Sequence, residues 1–172
     1  GPAMMTTADI MLSFSQLYHK RWTRNQIGPK KFVEMGYVYD GSFEYVRDRA
    51  SQHREVLEKA GAKFVICYFD ESCQNTKYGL INSKSHSSEL INLFNFVLAH
   101  DDVGLIIKSQ FKKNSPQHID EIRALREKVL ATGRYLELMG GVHRNSIFPA
   151  EAALASDLAI GHVIGATAAL EA

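Results

Sequence analysis

Two hydrophobic patterns alternate along this chain. Short, nearly continuous apolar runs are typical of strands covered on both faces, whereas an apolar residue at every third or fourth position is typical of an amphipathic helix. Serine, asparagine, proline and glycine stand where the helical stretches begin and end. The patterns predict strands at 8–15, 32–38, 63–69, 103–107, 134–139 and 158–160, and helices at 16–25, 43–60, 87–100, 116–132 and 146–155.

The alternation of strands and helices determines the predicted fold class. Helices of about 10 to 18 residues between strands imply right-handed crossovers and a mostly parallel sheet. The chain is therefore predicted to form a three-layer α/β/α domain of Rossmann-like type. Residues 1–4, Gly-Pro-Ala-Met, resemble the remnant of a cleaved expression tag and take no part in the predicted fold.

Composition favours a globular protein with one sizeable core. The 172 residues are 45% hydrophobic and 23% charged, and a net charge of +1 gives none of the broad basic field typical of nucleic-acid binding. Cys67 and Cys73 lack metal-ligand spacing, and Cys67 lies in an apolar strand, which favours a reduced, cytoplasmic protein. The sequence shows no apolar run of about 18 residues and no signal-peptide pattern.

One short segment around Trp22 is locally basic. A solvated helix face is the favoured interpretation, and contact with an anionic membrane surface or a partner domain is the alternative. The basic residues are His19, Lys20, Arg21, Arg24, Lys30 and Lys31.

The predicted sheet selects a candidate site. In parallel α/β sheets, ligands bind beyond the carboxyl ends of the strands. The residues at these strand ends are Asp70, Glu71 and Ser72; Lys108, Ser109 and Gln110; Gly140, Gly141, His143 and Arg144; and Gly161, His162, Gly165 and Thr167.

Gly165-Ala166-Thr167 is the most phosphate-compatible of these segments. It begins a predicted helix, whose free N–H groups and dipole favour an anion. A glycine turn with a threonine cap explains the same residues equally well. His162, next to the end of a predicted strand, is a candidate to bind phosphate or to act as acid or base, and a structural histidine is at least as common.

Four charged residues complete the candidate set. Lys108 ends an apolar strand, where a charge is costly unless it reaches solvent or meets an anion. Arg144 is a candidate to neutralise phosphate. Asp70 and Glu71 form a carboxylate pair that would suit a metal, although solvated loop acids or helix-facing caps are the favoured interpretation.

Familiar enzyme motifs are missing from the sequence. There is no Gly-x-Gly-x-x-Gly fingerprint, Walker P-loop, Gly-x-Ser-x-Gly elbow or zinc spacing. Their absence argues against the common dinucleotide-binding, NTPase, hydrolase and zinc-enzyme interpretations.

Five segments, taken in order, carry a resemblance to a known family. They are 9–15, 32–37, the strand at 64–70, the Leu-Ile-Ile-Lys-Ser-Gln strand end at 105–110, and the strand-turn-helix corner at 156–172. This series resembles the carboxyl-terminal half of GT-B type glycosyltransferases that build bacterial surface polysaccharides, and of the related CDP-glycerol glycerophosphotransferases. The likeness is strongest in the last corner, Gly-Ala-Thr-Ala-Ala-Leu-Glu-Ala.

The resemblance implies a nucleotide-sugar donor, linked to UDP, CDP or GDP, as the ligand. Gly165, Ala166 and Thr167 would then bind its diphosphate, and Glu171 would contact its ribose or sugar. No metal is strictly required, because helix dipoles and basic side chains would stabilise the leaving diphosphate. Gln110 stands where the family has histidine, which favours a sugar transferase over a glycerophosphotransferase.

The resemblance also implies that half of the active site lies outside this sequence. Residues 5–42 would be the end of an amino-terminal domain or linker strands, and 43–172 a nucleotide-binding domain incomplete at its carboxyl end. The missing amino-terminal domain would supply the acceptor site and catalytic base, so the chain alone is expected to be inactive as a transferase. A non-catalytic, doubly wound binding or signalling module and a sugar-phosphate enzyme such as an epimerase are the alternative hypotheses.

Overall fold

The structure, a computed structural model, divides the chain into two compact units, 1–44 and 45–172. The residues that it describes are 9–13, 15–17, 20, 29–37, 40–70, 83–109, 120–139 and 147–161.

The first unit contains a pair of short parallel strands, β1 (Ile10–Ser13) and β2 (Lys31–Glu34). Ile10 pairs with Lys31, and the register continues without a break to Ser13 and Glu34. Beside this pair the Lys30 ammonium lies 2.8 Å from a carboxylate oxygen of Asp9, and both side chains are exposed.

The second unit is an α/β domain. Its four described strands are all parallel and lie in the order β5-β4-β3-β6. Along the chain the elements are α1 (Asp40–Lys59), β3 (Phe64–Asp70), α2 (Ser83–Ala99), β4 (Val103–Ser109), α3 (Asp120–Ala131), β5 (Tyr135–Met139), α4 (Pro149–Leu154) and β6 (Leu158–Ile160), with α1 beginning just before the boundary between the units.

Helices cover both faces of this sheet, because the side chains of the apolar strands alternate between two cores. Ile66 and Ile107 belong to a core that includes residues of α2 and α3. Cys67 and Ile106 face the other way and pack with residues of α1 and α4. The predicted three-layer, Rossmann-like α/β architecture is confirmed.

The strand order reverses beside β3. From β3 the chain adds β4 and then β5 on one side, and then returns to place β6 against the other side of β3. Right-handed crossovers that run in opposite directions along the sheet put their helices on opposite faces. Accordingly, α2 and α3 cover one face of the sheet and α4 covers the other. In open α/β sheets the ligand crevice lies at such a reversal, beyond the carboxyl ends of the strands.

Several helix ends agree with the sequence prediction. Gly61 and Gly133 follow α1 and α3 with φ values of 100° and 74°, a left-handed conformation that favours glycine. The predicted start of α2 at Ser87 or Ser88 is wrong. The helix begins at Ser83, and the Ser88 hydroxyl donates to the carbonyl oxygen of Lys84 within it.

Two further details differ from the prediction. Leu130, expected on the apolar stripe of α3, is 42% exposed, whereas Val129 is fully buried. β4 continues two residues beyond Ile107, because Lys108 and Ser109 pair with the ends of β3 and β5.

Within the described residues, no helix combines the length and apolar character needed to cross a bilayer.

Candidate functional site

The polar strand ends of β3 and β4 lie side by side. Phe69 is in register with Lys108, and Asp70 is in register with Ser109. We call this end of the sheet the carboxyl edge. Of the predicted strand-end residues, the structure describes Asp70, Lys108, Ser109 and Gly161, and it brings the first three together.

The remaining predicted site residues lie outside the described part of the chain, so their roles stay predictions. They are Glu71, Ser72, Gln110, Gly140, Gly141, His143, Arg144, His162, Gly165, Ala166, Thr167 and Glu171.

Lys108 is a buried cation at the carboxyl edge. Only 6% of the residue is exposed. Its amine donates a hydrogen bond of 3.0 Å to the backbone carbonyl of Ser109, and it forms no ion pair with any carboxylate of the described residues. An ammonium group has three donors, and the described residues accept a hydrogen bond from one of them.

The surroundings of Lys108 disfavour its charge. Burial lowers the pKa of the amine, and the nearby Cys67 thiol and Glu151 carboxylate oppose that shift only in part. Burial also raises the pKa of Cys67 to about 12, with the Lys108 charge acting in the opposite direction. A phosphate beside the amine would favour the charged form of Lys108.

Asp70, His86 and Ser109 form a second polar group at the same edge, which we call the Asp70 cluster. The Ser109 hydroxyl donates to Oδ2 of Asp70 over 3.1 Å. Nε2 of His86, which is fully buried on α2, lies 2.7 Å from Oδ1 of the same carboxylate. Asp70 is therefore a buried strand residue in contact with a helix, and the interpretation of it as a solvated loop acid is wrong.

Further contacts attach α2 to β3 beside this cluster. The Tyr68 hydroxyl donates to a carboxylate oxygen of Glu89 over 2.8 Å. The Tyr68 and His86 rings stack with their centroids 6.3 Å apart. The first turns of α2 are thus bonded to the last residues of β3.

The opposite face of the sheet carries a group of polar side chains around one buried carboxylate, which we call the Glu151 cluster. The Glu151 side chain on α4 is 2% exposed. Its two oxygens lie 3.0 Å from an Arg49 guanidinium nitrogen and 2.9 Å from Nε2 of His53, both on α1. This cluster joins α1 to α4 on the face where Lys108 lies.

His86 and Glu151 were not among the residues predicted from the sequence. His86 had a usable signal, because it stands four residues before Leu90 and eight before Phe94 on the buried stripe of α2. Glu151 stands alone among alanines in a short helix, which distinguishes it from the exposed acids of the other helices.

The basic segment of the first unit is described only in part. Lys30 pairs with Asp9, and Lys31 is the first residue of β2. Arg21 and Arg24 lie outside the described residues. The predicted membrane or partner contact of this segment stays a prediction.

Comparisons with known proteins identify no family for this chain. The sequence matches no protein-family model and shows no significant match to a curated protein. Within the residues that the structure describes, no three histidine, cysteine or acidic side chains gather in a way that would bind a metal ion.

Proposed function

We propose that the second unit binds the diphosphate of a nucleotide-linked sugar at the carboxyl edge. In this proposal it is the donor-binding half of a cytoplasmic GT-B type glycosyltransferase for surface polysaccharide or capsule synthesis. The observation that carries the proposal is Lys108, a buried ammonium group with a single hydrogen bond to described residues, at the carboxyl end of a central strand.

Burying the charge of Lys108 costs free energy. A buried charge without a counterion costs several kcal/mol, roughly, and proteins retain one mainly where a partner or ligand offsets the cost. Glu151, the acid whose charge acts on Lys108, lies against Arg49 and His53 and forms no ion pair with the amine in the structure. An anionic ligand is the partner that this amine lacks within the described residues.

The topology supports the same location. The strand order reverses beside β3, and Asp70, the last residue of β3, is in register with the neighbour of Lys108. A ligand in the crevice at this reversal would lie within reach of polar groups from β3 and β4.

The family resemblance supplies the rest of the proposed donor site. Gly165, Ala166 and Thr167 would bind the diphosphate at a helix start, and Glu171 would contact ribose or sugar. Ser72, Arg144 and His162 are the remaining proposed contacts. Because acceptor and catalytic base would come from an amino-terminal domain, we expect this chain to bind nucleotide without transferring sugar.

A ligand titration of the whole chain tests the proposal. UDP, CDP, GDP, their sugar esters and inorganic pyrophosphate are each added while the melting temperature is followed, since a ligand that binds only the folded protein raises it. We expect at least one nucleoside diphosphate to raise the melting temperature of the wild type. Lys108→Met and Thr167→Val should each reduce that rise strongly.

The matched control is Lys128→Met, which removes an exposed lysine from α3. It should respond to ligand as the wild type does. If neither pyrophosphate nor any nucleotide changes the melting temperature, or if Lys108→Met binds as well as the wild type, the donor-site proposal is wrong. The first of these results favours the non-catalytic module.

A further inference from the structure

The Asp70 cluster and Lys108 meet at one residue, Ser109. Its backbone carbonyl accepts the hydrogen bond from the Lys108 amine at 3.0 Å. Its hydroxyl donates to Asp70, and the other oxygen of Asp70 contacts His86. A continuous series of contacts therefore runs from α2, across the end of the sheet, to the amine on the other face.

We propose that Asp70 and His86 are positioning residues for Lys108, which they hold at the carboxyl edge, ready for an anion, through Ser109. This inference rests on the proposed function. Neither residue contacts the ligand in this scheme. Their effect passes through the orientation of the Ser109 peptide group, whose carbonyl is the acceptor for the amine.

Ser109 needs such a restraint because it ends its strand. It is the last residue of β4 and, within the described residues, the last of that strand to pair with β3. Terminal ladder positions fray more readily than central ones. A side-chain hydrogen bond to Asp70, whose own carboxylate is in contact with a fully buried histidine, opposes that fraying.

A competing attraction explains why the restraint matters for binding. Lys108 lies on the same face as Glu151, and this carboxylate attracts its charge. If the Ser109 carbonyl moved, the amine would turn toward Glu151 and its charge would be neutralised within the protein. The anion site at the carboxyl edge would then lose its cation without any change in the lysine itself.

The test compares four variants of the whole chain with the wild type. Ser109→Ala removes the hydroxyl, Asp70→Ala removes its acceptor, and Asp70→Asn retains an acceptor oxygen. His86→Phe retains a ring beside Tyr68 but removes the contact with Asp70. Ser156→Ala is the control, because it also removes a hydroxyl that donates one hydrogen bond, in the turn between α4 and β6.

Two quantities are measured for each variant. One is the dissociation constant of inorganic pyrophosphate. The other is the titration of the Lys108 ε-carbon signal by NMR, assigned with Lys108→Arg, which reports the surroundings of the amine even without ligand. Among the described residues, the titratable groups whose charge acts on this amine are Cys67 on β3 and Glu151 on α4.

We expect Ser109→Ala to weaken pyrophosphate binding about fivefold, the effect of one hydrogen bond, and to raise the pKa of Lys108, since the amine moves toward Glu151. His86→Phe should shift both quantities in the same direction as Ser109→Ala. Asp70→Ala also removes a negative charge from the anion site, so it is compared with the equally uncharged Asp70→Asn, which should bind pyrophosphate more tightly. Ser156→Ala should leave both unchanged.

The failure of this inference is distinguishable from that of the proposed function. If Lys108→Met abolishes pyrophosphate binding while Ser109→Ala and Asp70→Ala bind as the wild type does, the positioning role is wrong and the proposed function stands. If the wild type does not bind pyrophosphate, the proposed function loses its support. The Lys108 titration then decides whether the positioning role is correct. If the pKa of Lys108 in Ser109→Ala equals that of the wild type, the positioning role is wrong.

Discussion

Two buried cations stand at opposite ends of the same sheet. Arg134 precedes β5 at the amino end and is 5% exposed, and Lys108 near the carboxyl end of β4 is 6% exposed. One guanidinium nitrogen of Arg134 donates to three backbone carbonyls, whereas the amine of Lys108 donates to one among the described residues. The carbonyls bonded by Arg134 are those of Val97, His100 and Val103.

Under the proposed function, this is the difference between a structural charge and a charge available to a ligand. At the amino end, Arg134 closes the turn from α2 to β4, and Asp157 accepts a hydrogen bond of 2.7 Å from the Val65 amide and one of 2.6 Å from Arg54. Polar groups there are paired with the protein itself. At the carboxyl edge, the described residues accept from one of the three Lys108 donors, which leaves two for the proposed ligand.

The largest loss of stability is expected from removing Arg134, the cation that is hydrogen-bonded to the protein itself. Arg134→Met deletes the donor of three buried carbonyls and should lower the free energy of unfolding by about 3–5 kcal/mol. Urea denaturation measures this directly. A loss smaller than about 1 kcal/mol would mean that the arginine hydrogen bonds contribute little and that the contrast with Lys108 is false.

Removing the buried acid beside Lys108 should have the next largest effect. Glu151→Gln removes the charge of a buried carboxylate that lies against Arg49 and His53, and should lower the free energy of unfolding by about 2–3 kcal/mol, less than Arg134→Met because one amide oxygen can still accept. Denaturation of Glu151→Gln and of the exposed-pair control Glu55→Gln gives the comparison. Equal stabilities of the two variants would contradict it.

Lys108→Met should not lower the stability as the two preceding variants do. It removes a charge that is buried without an ion-pair partner among described residues, so the free energy of unfolding should change by less than about 1 kcal/mol or rise. The same denaturation series measures it. A loss as large as that of Arg134→Met would show that Lys108 is a structural cation too.

The smallest expected effect is a pH dependence. Because burial lowers the pKa of Lys108 in the folded protein, the unfolded chain binds more protons between that value and the ordinary lysine pKa of about 10.4. The stability of the wild type relative to Lys108→Met should therefore rise with pH in that interval. Denaturation of both proteins from pH 7 to pH 10 measures this difference in the free energy of unfolding. If the difference falls as the pH rises, the pKa of Lys108 is not lowered in the folded protein.

Local patterns were sufficient to predict most elements and part of the site. Continuous apolar runs located β3 and β4, and the glycines at 61 and 133 located two helix ends, because both signals depend on neighbouring residues alone. Lys108 was predicted as a candidate because a charge at the end of an apolar strand is visible in the sequence.

Partners that are distant in sequence could not be predicted in this way. His86 contacts Asp70 across 16 positions and His53 contacts Glu151 across 98, and no local period specifies either pair. The pairing of β6 with β3, which reverses the strand order, is likewise a property of the whole chain. The early start of α2 depends on packing against β3, since Tyr68 and His86 join the two elements.

The most direct test of the proposed donor site follows the Lys108 ε-carbon by NMR while pH is varied, with and without a saturating concentration of the nucleoside diphosphate that raises the melting temperature. The pKa of Lys108 should lie below the ordinary lysine value in the free chain and rise when this nucleotide binds, because a phosphate beside the amine favours its charged form. If the nucleotide binds and the Lys108 titration stays the same, the carboxyl edge is not the phosphate site.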